Sequence, residues 1–193
     1  FLLANGALSG DGTELVIRKQ LLLNHLVEAI VILPRNMFYS TDISVTLWVL
    51  NNNKKARTVA QNGKMVSYRN REDEVLFIDL RQWGEPFEKK YIQFSTEQIQ
   101  QIAENFHNWQ RVGYEQTYHN EPEYCYSATL EEIEKKGWSL VPSKYIEFRN
   151  RDEQIDFDTK MKQLQADMRD LLQQEEASKQ ELKALFEKLG YSL

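Results

Sequence analysis

Two apolar runs, and the short distance between them, constrain this fold most. "AIVIL" ends at Leu33, just before Pro34, and "VTLWVL" at residues 45–50 follows a polar loop of about nine residues. Neither run alternates apolar with polar residues, which predicts strands buried on both faces. A parallel crossover takes a dozen or more residues and usually a helix. The loop is too short for one, so residues 28–33 and 43–50 are predicted to run antiparallel. Upstream, residues 1–4 read as a short strand, Asn5-Gly6 as the start of a turn, and Thr13 as a helix N-cap. Residues 14–27 carry Leu15, Leu22 and Leu26 on one helical face, with Arg18 and Lys19 off it. The order strand, helix, strand, loop, strand is an α/β pattern.

Residues 51–71 change character. They hold Lys54, Lys55, Arg57, Lys64, Arg69 and Arg71 and no acid. Asn62-Gly63 lies between two short β-type runs there, a strong hairpin signal. "EVLFIDL", residues 74–80, is a further strand. Ser95 with Gln98 forms a capping-box pattern opening a helix that shows Ile99, Ile102, Ala103 and Phe106 on one face and ends near Trp109. Residues 124–128 read as a strand. Thr129 with Glu132 opens a short helix that Gly137 stops, and "GWSLVPSKYI" reads as extended.

The last segment follows a different rule. From Phe157 the apolar positions fall at Met161, Leu164, Met168, Leu171, Leu182, Leu185 and Leu189, with Glu175 and Ser178 at the two intermediate seam positions. A repeat of about 3.5 residues predicts a coiled-coil-type helix. Its stripe needs a cover: its own domain, a second copy or another subunit. Two domains are therefore expected, 1–150 and 151–193.

The net charge of −5 argues against coating nucleic acid through overall charge, but leaves room for a local basic patch. Outside residues 51–71 the chain carries 18 basic and 29 acidic residues, so any such patch is confined to that stretch. One cysteine, Cys125, excludes an internal disulfide, and no membrane span or signal peptide is visible, so a cytoplasmic location is expected. His25, His107, His119 and Cys125 lack metal-ligand spacing, so no metal is expected. The chain opens at Phe1 inside an apolar segment, which predicts a piece of a longer protein.

The loop between the two apolar runs carries Phe38 and Tyr39. In open α/β sheets ligands bind beyond the carboxyl ends of strands, so an aromatic there could offer its face to a nucleobase. Stacking is worth about 1–3 kcal/mol per base, comparable to the cost of extruding a base from a duplex. The other reading is structural: Phe38 packs into the domain and Tyr39 lies on the surface.

"IRKQLLLNHLVEAIVILPRNMFYSTDISVTLWVLN", "VLFID" at residues 75–79 and "LEEIEKKGWSLVPSKYI" at residues 130–146 occur in an ordered succession that resembles adenine-specific DNA methyltransferases. More narrowly, it resembles the C-terminal part of the modification (M) subunit of type I restriction-modification systems. The resemblance implies the distal part of a Rossmann-like methyltransferase sheet with an antiparallel edge region. The activity implied is methyl transfer from S-adenosylmethionine to the exocyclic amine of an adenine flipped out of DNA. Phe38, and next to it Tyr39, match the position that holds the flipped base. The implied partners are DNA, the specificity (S) subunit and the restriction (R) subunit, with the tail docking on the specificity subunit.

The chain departs from the family pattern in two ways. None of Pro34, Pro86, Pro122 and Pro142 are adjacent, so the Asn/Asp-Pro-Pro-aromatic motif is missing. "GALSGDG", residues 6–12, lacks the glycine spacing of a methyl-donor turn. No catalytic residue and no donor site are therefore expected within these residues, and alone they should be inactive. The basic hairpin is an insertion relative to the family, and its six cations are the expected DNA contacts. The alternative is a non-catalytic interaction module with a DNA-contacting hairpin and a helical docking arm, which would self-associate if its seam finds no other cover.

Overall fold

A computed structural model describes residues 1–88, 90–148 and 157–190. The chain divides into two compact units, residues 1–149 and 150–193.

The first unit is built on a five-stranded mixed sheet in the order β1-β3-β2-β6-β9. Its strands are β1 (Leu2–Ala4), β2 (Val27–Ile32), β3 (Val45–Leu50), β6 (Glu74–Asp79) and β9 (Cys125–Thr129). β2 runs parallel to β6, while β3 pairs antiparallel with both β1 and β2, and β9 antiparallel with β6. The short loop does join antiparallel neighbours, with Ile30 opposite Trp48. Every residue of β2 is buried, as the apolar run Ala29–Ile32 requires, and Glu28 at its start is buried with them. β3 is also covered on both faces: Thr46 and Trp48 are buried on one, Val45, Leu47 and Val49 pack half-buried against the core on the other, and its last residue, Leu50, is exposed.

The central strands send alternate residues to opposite faces. Ile30, Ile32, Val75 and Phe77 join Leu22 of α1 (Thr13–Leu23), Ile133 of α3 (Leu130–Lys135), Leu140 and Tyr145. Phe77 and Tyr145 stack at 4.3 Å. Ala29, Val31, Leu76 and Ile78 join Trp109 of α2 (Thr96–Gln110), with Ile102 and Phe106 packed alongside. Helices thus cover both faces, and each fully buried Leu, Ile or Phe contributes about 1.5–3 kcal/mol. Ile99 is exposed, so the inward face of α2 is set by Ile102, Phe106 and Trp109.

Local signals account for the element ends. Ser95 and Gln98, and Thr129 and Glu132, form complete capping boxes. Gly137 takes a φ of 68° just beyond α3. Thr13 does not cap α1: Gly12 holds the N-cap position, the helix starts at Thr13 and it ends at Leu23, short of Leu26. Residues 142–144 form a turn of 3-10 helix inside the segment expected to be extended. Arg18, expected off the buried face, is 3 % exposed. Its guanidinium donates to the Trp138, Ala7 and Gly10 carbonyls at 2.7–3.1 Å, holding the loop after β1 against the segment after α3.

Two hairpins project from this frame. β4 (Arg57–Gln61) and β5 (Lys64–Tyr68) pair antiparallel across Asn62-Gly63, both at positive φ. β7 (Glu85–Phe87) and β8 (Tyr91–Gln93) form the second. The second unit contains α4 (Phe157–Lys188), a helix of 32 residues with none buried. Among the described residues no helix is long and apolar enough to cross a membrane.

Candidate functional site

Strands β1, β2 and β6 share one direction, so their carboxyl ends share one edge of the sheet. The loop of residues 34–42 leaves β2 at that edge. Pro34 is buried, Asn36 takes a φ of 60°, and Phe38 and Thr41 bridge across the loop. Ser44 Oγ donates to the Leu33 carbonyl at 2.5 Å, closing the loop's base.

The two aromatics of this loop separate. Phe38 is half-buried and packs against the α2-side core, whereas Tyr39 is 71 % exposed. Tyr39 meets Tyr91 of β8 edge-on, with ring centroids 4.5 Å apart. The Ile92 amide donates to the Asn36 carbonyl at 3.0 Å, and Lys90 pairs with Asp42 at 3.3 Å. The β7–β8 hairpin therefore braces the loop at three points. Sequence reasoning missed this hairpin, because two three-residue strands around Pro86 carry no periodic signal.

The six cations of residues 51–71 fall into different environments. Lys54 is 2 % exposed and donates to the Val27 and Glu74 carbonyls at 2.7 Å and the Glu72 carbonyl at 3.3 Å. Burial brings its pKa down to about 8, against the opposing pull of Glu28. Arg71 is 1 % exposed and pairs with Glu28 at 2.9 Å. These two correct the expectation of six DNA-contacting cations: a side chain enclosed by β2, β6 and α2 cannot reach a phosphate. Arg69 is half-buried and forks onto Glu74, two bonds of 2.8 Å. Burial pushes the Glu74 carboxyl up, but hydrogen bonds from Arg69 and Ser127 outweigh it and leave its pKa low. Lys55 and Lys64 are exposed and Arg57 is half-buried. Lys55 lies 3.8 Å from Glu72.

Behind the hairpin, a cleft of about 600 Å³ is lined by Arg69, Asn108, Arg111, Tyr114, Thr117 and Ser127, with Glu74 and Glu115 also on its wall. Arg111 follows the end of α2 and bridges to Tyr68 of β5. His107 lies under Tyr114, ring centroids 5.3 Å apart; burial, then the Arg111 charge, holds its pKa below the ordinary value. Nothing in the local sequence around Arg111 distinguishes it from any arginine after a helix, and sequence reasoning passed over it.

Residues 6–12 do not fit a methyl-donor turn. Arg18 occupies the Ala7 and Gly10 carbonyls, and a Cβ on Gly10 would strike the Glu14 carboxylate. The glycine accommodates a neighbouring side chain and leaves no cradle. Among the described residues, no group of three or more His, Cys, Asp or Glu could hold a metal ion.

A mixed sheet with helices on both faces and an aromatic loop beyond its parallel carboxyl edge makes this unit a two-sided α/β domain with a candidate site at that edge. The fold agrees with two solved structures. A type I restriction-modification methyltransferase subunit from Streptococcus thermophilus aligns over 76 % of this chain and 26 % of its own, with TM-score 0.59 and 22 % identity. The EcoKI M protein aligns over 99 % of this chain and 40 % of its own, with TM-score 0.51 and 16 % identity. The N-6 DNA methylase family profile matches residues 1–154. The HindI methylase subunit of Haemophilus influenzae is 36 % identical over 98 % of this chain, and the MjaIX methylase subunit of Methanocaldococcus jannaschii 30 % identical over 99 %. The chain belongs to the N-6 DNA methylase family, among the methylase (M) subunits of type I restriction-modification systems. It spans 39 % and 32 % of the length of those two relatives.

Proposed function

We propose that these residues are the distal part of a methyltransferase domain plus a subunit-docking helix, within a protein that methylates the exocyclic amine of adenine in DNA. The observation that carries this reading is the family match across residues 1–154, together with the aromatic loop that leaves β2 at the parallel carboxyl edge. The methyl donor, S-adenosylmethionine, belongs to the parent protein, and the residues here offer no turn that suits it. Their contribution is the wall for the extruded base. Phe38, wedged against the α2-side core, sets the height of the loop. Tyr39, exposed and braced by Tyr91, is the ring free to lie against a base.

DNA contact on this reading comes from Lys55, Arg57 and Lys64, the cations of the insertion that neither burial nor a close carboxylate fork removes. The seam of α4 at Met161, Leu164, Met168, Leu171, Leu182, Leu185 and Leu189 docks on the specificity subunit, and the restriction subunit joins the assembled pair. Residues 149–156, between the unit's last described residue and α4, lie outside the described residues, as does the boundary expected at 150.

The test uses the full-length subunit with its specificity subunit and a duplex carrying the recognised site. Tyr39→Ala should reduce adenine methylation at least tenfold while leaving thermal unfolding unchanged. Phe38→Leu should lower both activity and stability. Wild-type turnover in Tyr39→Ala would remove the base-wall role. Absence of methyl transfer by the wild-type assembly would remove the reading altogether.

A further inference from the structure

Tyr68 is surrounded by guanidinium groups. Arg57 lies 4.7 Å, Arg71 5.7 Å and Arg111 5.9 Å from its ring centroid. Their charges are compensated unequally. Arg71 is neutralised by Glu28, and Arg69 nearby by Glu74. Arg57 donates to the Asn53 carbonyl and has no carboxylate partner among the described residues. Arg111 has neither a hydrogen bond from its side chain nor an ion pair among the described residues, and its Nε is buried without a protein acceptor.

Arg111 is nevertheless fixed in position. The Tyr114 ring centroid lies 4.9 Å from its guanidinium carbon, closer than that of Tyr68 at 5.9 Å. The Arg111 amide donates to the His107 carbonyl and the Val112 amide to the Ser67 carbonyl, both at 2.8 Å. Asn108 Oδ1 takes the Gln116 amide at 2.9 Å, which folds the loop of residues 111–118 around the cleft. A planar fork held by aromatic rings, with its donors unspent, is preorganised for a bidentate anion. Of the two carboxylates on the cleft wall, Glu74 is spent on Arg69 and Ser127. Glu115 lies on the exposed loop.

We propose that Arg111, beside Tyr68 and Tyr114 at the foot of the β4–β5 hairpin, anchors a site for a phosphate of a nucleic-acid backbone. The hairpin extends the site. Arg57 and Lys64 stand on the hairpin that carries Tyr68, and Lys55 two residues before it, all within an acid-free stretch of sequence. A run of cations suits a repeating polyanion better than a single carboxylate. The anion site stands on the geometry alone, and only the choice of a DNA strand as its ligand rests on the function proposed above.

The test measures binding of the whole chain to a short duplex across potassium chloride concentrations. A phosphate contact contributes about 0.9 to the slope of log K against log salt. Arg111→Gln should lower the slope by about that amount, and Arg111→Lys should restore it. Independently of any variant, the Arg111 Nε–H resonance should move saturably when duplex is added to the wild-type chain. An unchanged slope in Arg111→Gln, or a resonance that ignores the duplex, overturns the proposal. Movement with inorganic phosphate or an acidic peptide but not with duplex overturns the strand assignment. Adenine methylation by the full-length assembly is measured alongside. Loss of methylation with the slope intact sinks the site and leaves the function proposed above standing. A slope effect in an assembly that methylates nothing sinks that function and leaves the site.

Discussion

Arg71 and Glu28 meet at 2.9 Å with their side chains 0 % and 2 % exposed, an ion pair sealed between β2 and the segment that follows the β4–β5 hairpin. Glu28 also accepts from Asn51 at 2.6 Å and Gln110 at 3.2 Å, and Arg71 also donates to the Arg69 carbonyl at 2.5 Å. The pair thus ties three segments distant in sequence: β2, the stretch after the β4–β5 hairpin and the end of α2. Removing one partner strands a buried charge, which costs about 3–5 kcal/mol. We expect Arg71→Ala to lose that much stability in urea unfolding. Glu28→Gln combined with Arg71→Met should recover most of it. If Arg71→Ala unfolds at the wild-type midpoint, the β4–β5 hairpin is anchored by something else.

The contrast between Lys54 or Arg71 and Asn62-Gly63 shows what was legible in the sequence. The hairpin turn, both capping boxes and the antiparallel join of β2 to β3 depend on residues within a few positions of each other, and each appears where local reasoning put it. The fate of the basic stretch depends on Glu28 and Glu74, one of them more than 20 residues away, so a run of positive charge looked like a uniform surface. Arg18 misled for the same reason: its acceptors are carbonyls of Ala7, Gly10 and Trp138, which carry no sequence signature. The Phe38–Tyr39 pair was visible as a feature, and one of its two readings, Phe38 packed into the domain with Tyr39 on the surface, is the arrangement found; the β7–β8 hairpin that braces Tyr39 was not visible.

Lys54 gives stability a pH dependence of definite sign. The folded state releases its proton near pH 8, the unfolded chain near 10.5. Between those values the unfolded state binds more protons, so stability rises with pH. Burial's penalty on the ammonium is present below pH 8 and relieved above it. Lys54→Met has no proton to release and leaves three carbonyls without their donor. We expect the stability gap between wild type and Lys54→Met to widen by about 2 kcal/mol from about pH 7.5 to pH 10. Paired urea titrations at the two pH values check it, and a constant gap would show that Lys54 titrates normally.

Tyr91 should control the order of the loop that carries Tyr39. An edge-on aromatic pair is worth about 0.5–1.5 kcal/mol beyond its burial. With Tyr91→Ala, the Ile92–Asn36 hydrogen bond loses its neighbouring ring contact. Amide exchange at Ile92 and Thr41 should quicken by about threefold to tenfold, converted from that energy, while amides of β2 and β6 keep their protection. Tyr91→Phe keeps the ring and should behave as wild type. Equal exchange in all three proteins would mean the hairpin does not brace the loop.

The seam of α4 is exposed along its whole length, from Phe157 at 74 % through Leu171 at 60 % and Leu182 at 50 % to Leu189 at 64 %. The polar seam position Glu175 is already engaged, pairing with Lys179 at 2.7 Å, so the proposed docking rests on the apolar positions. Each seam Leu buried against a partner contributes about 1.5–3 kcal/mol. Replacing Leu171 and Leu182 together by Asp should therefore weaken binding to the specificity subunit by about 100-fold or more. Gln173, two positions on from Leu171 and on the opposite side of the helix, provides the control: Gln173→Asp should bind as wild type. Both proteins should keep the helical circular dichroism of the parent, since a charged residue on an exposed face leaves backbone hydrogen bonds in place. Undiminished binding by the double variant would show that the specificity subunit does not read this stripe. A shift of the isolated wild-type chain from dimer to monomer on the same substitutions, with subunit binding unaffected, would assign the stripe to a second copy instead.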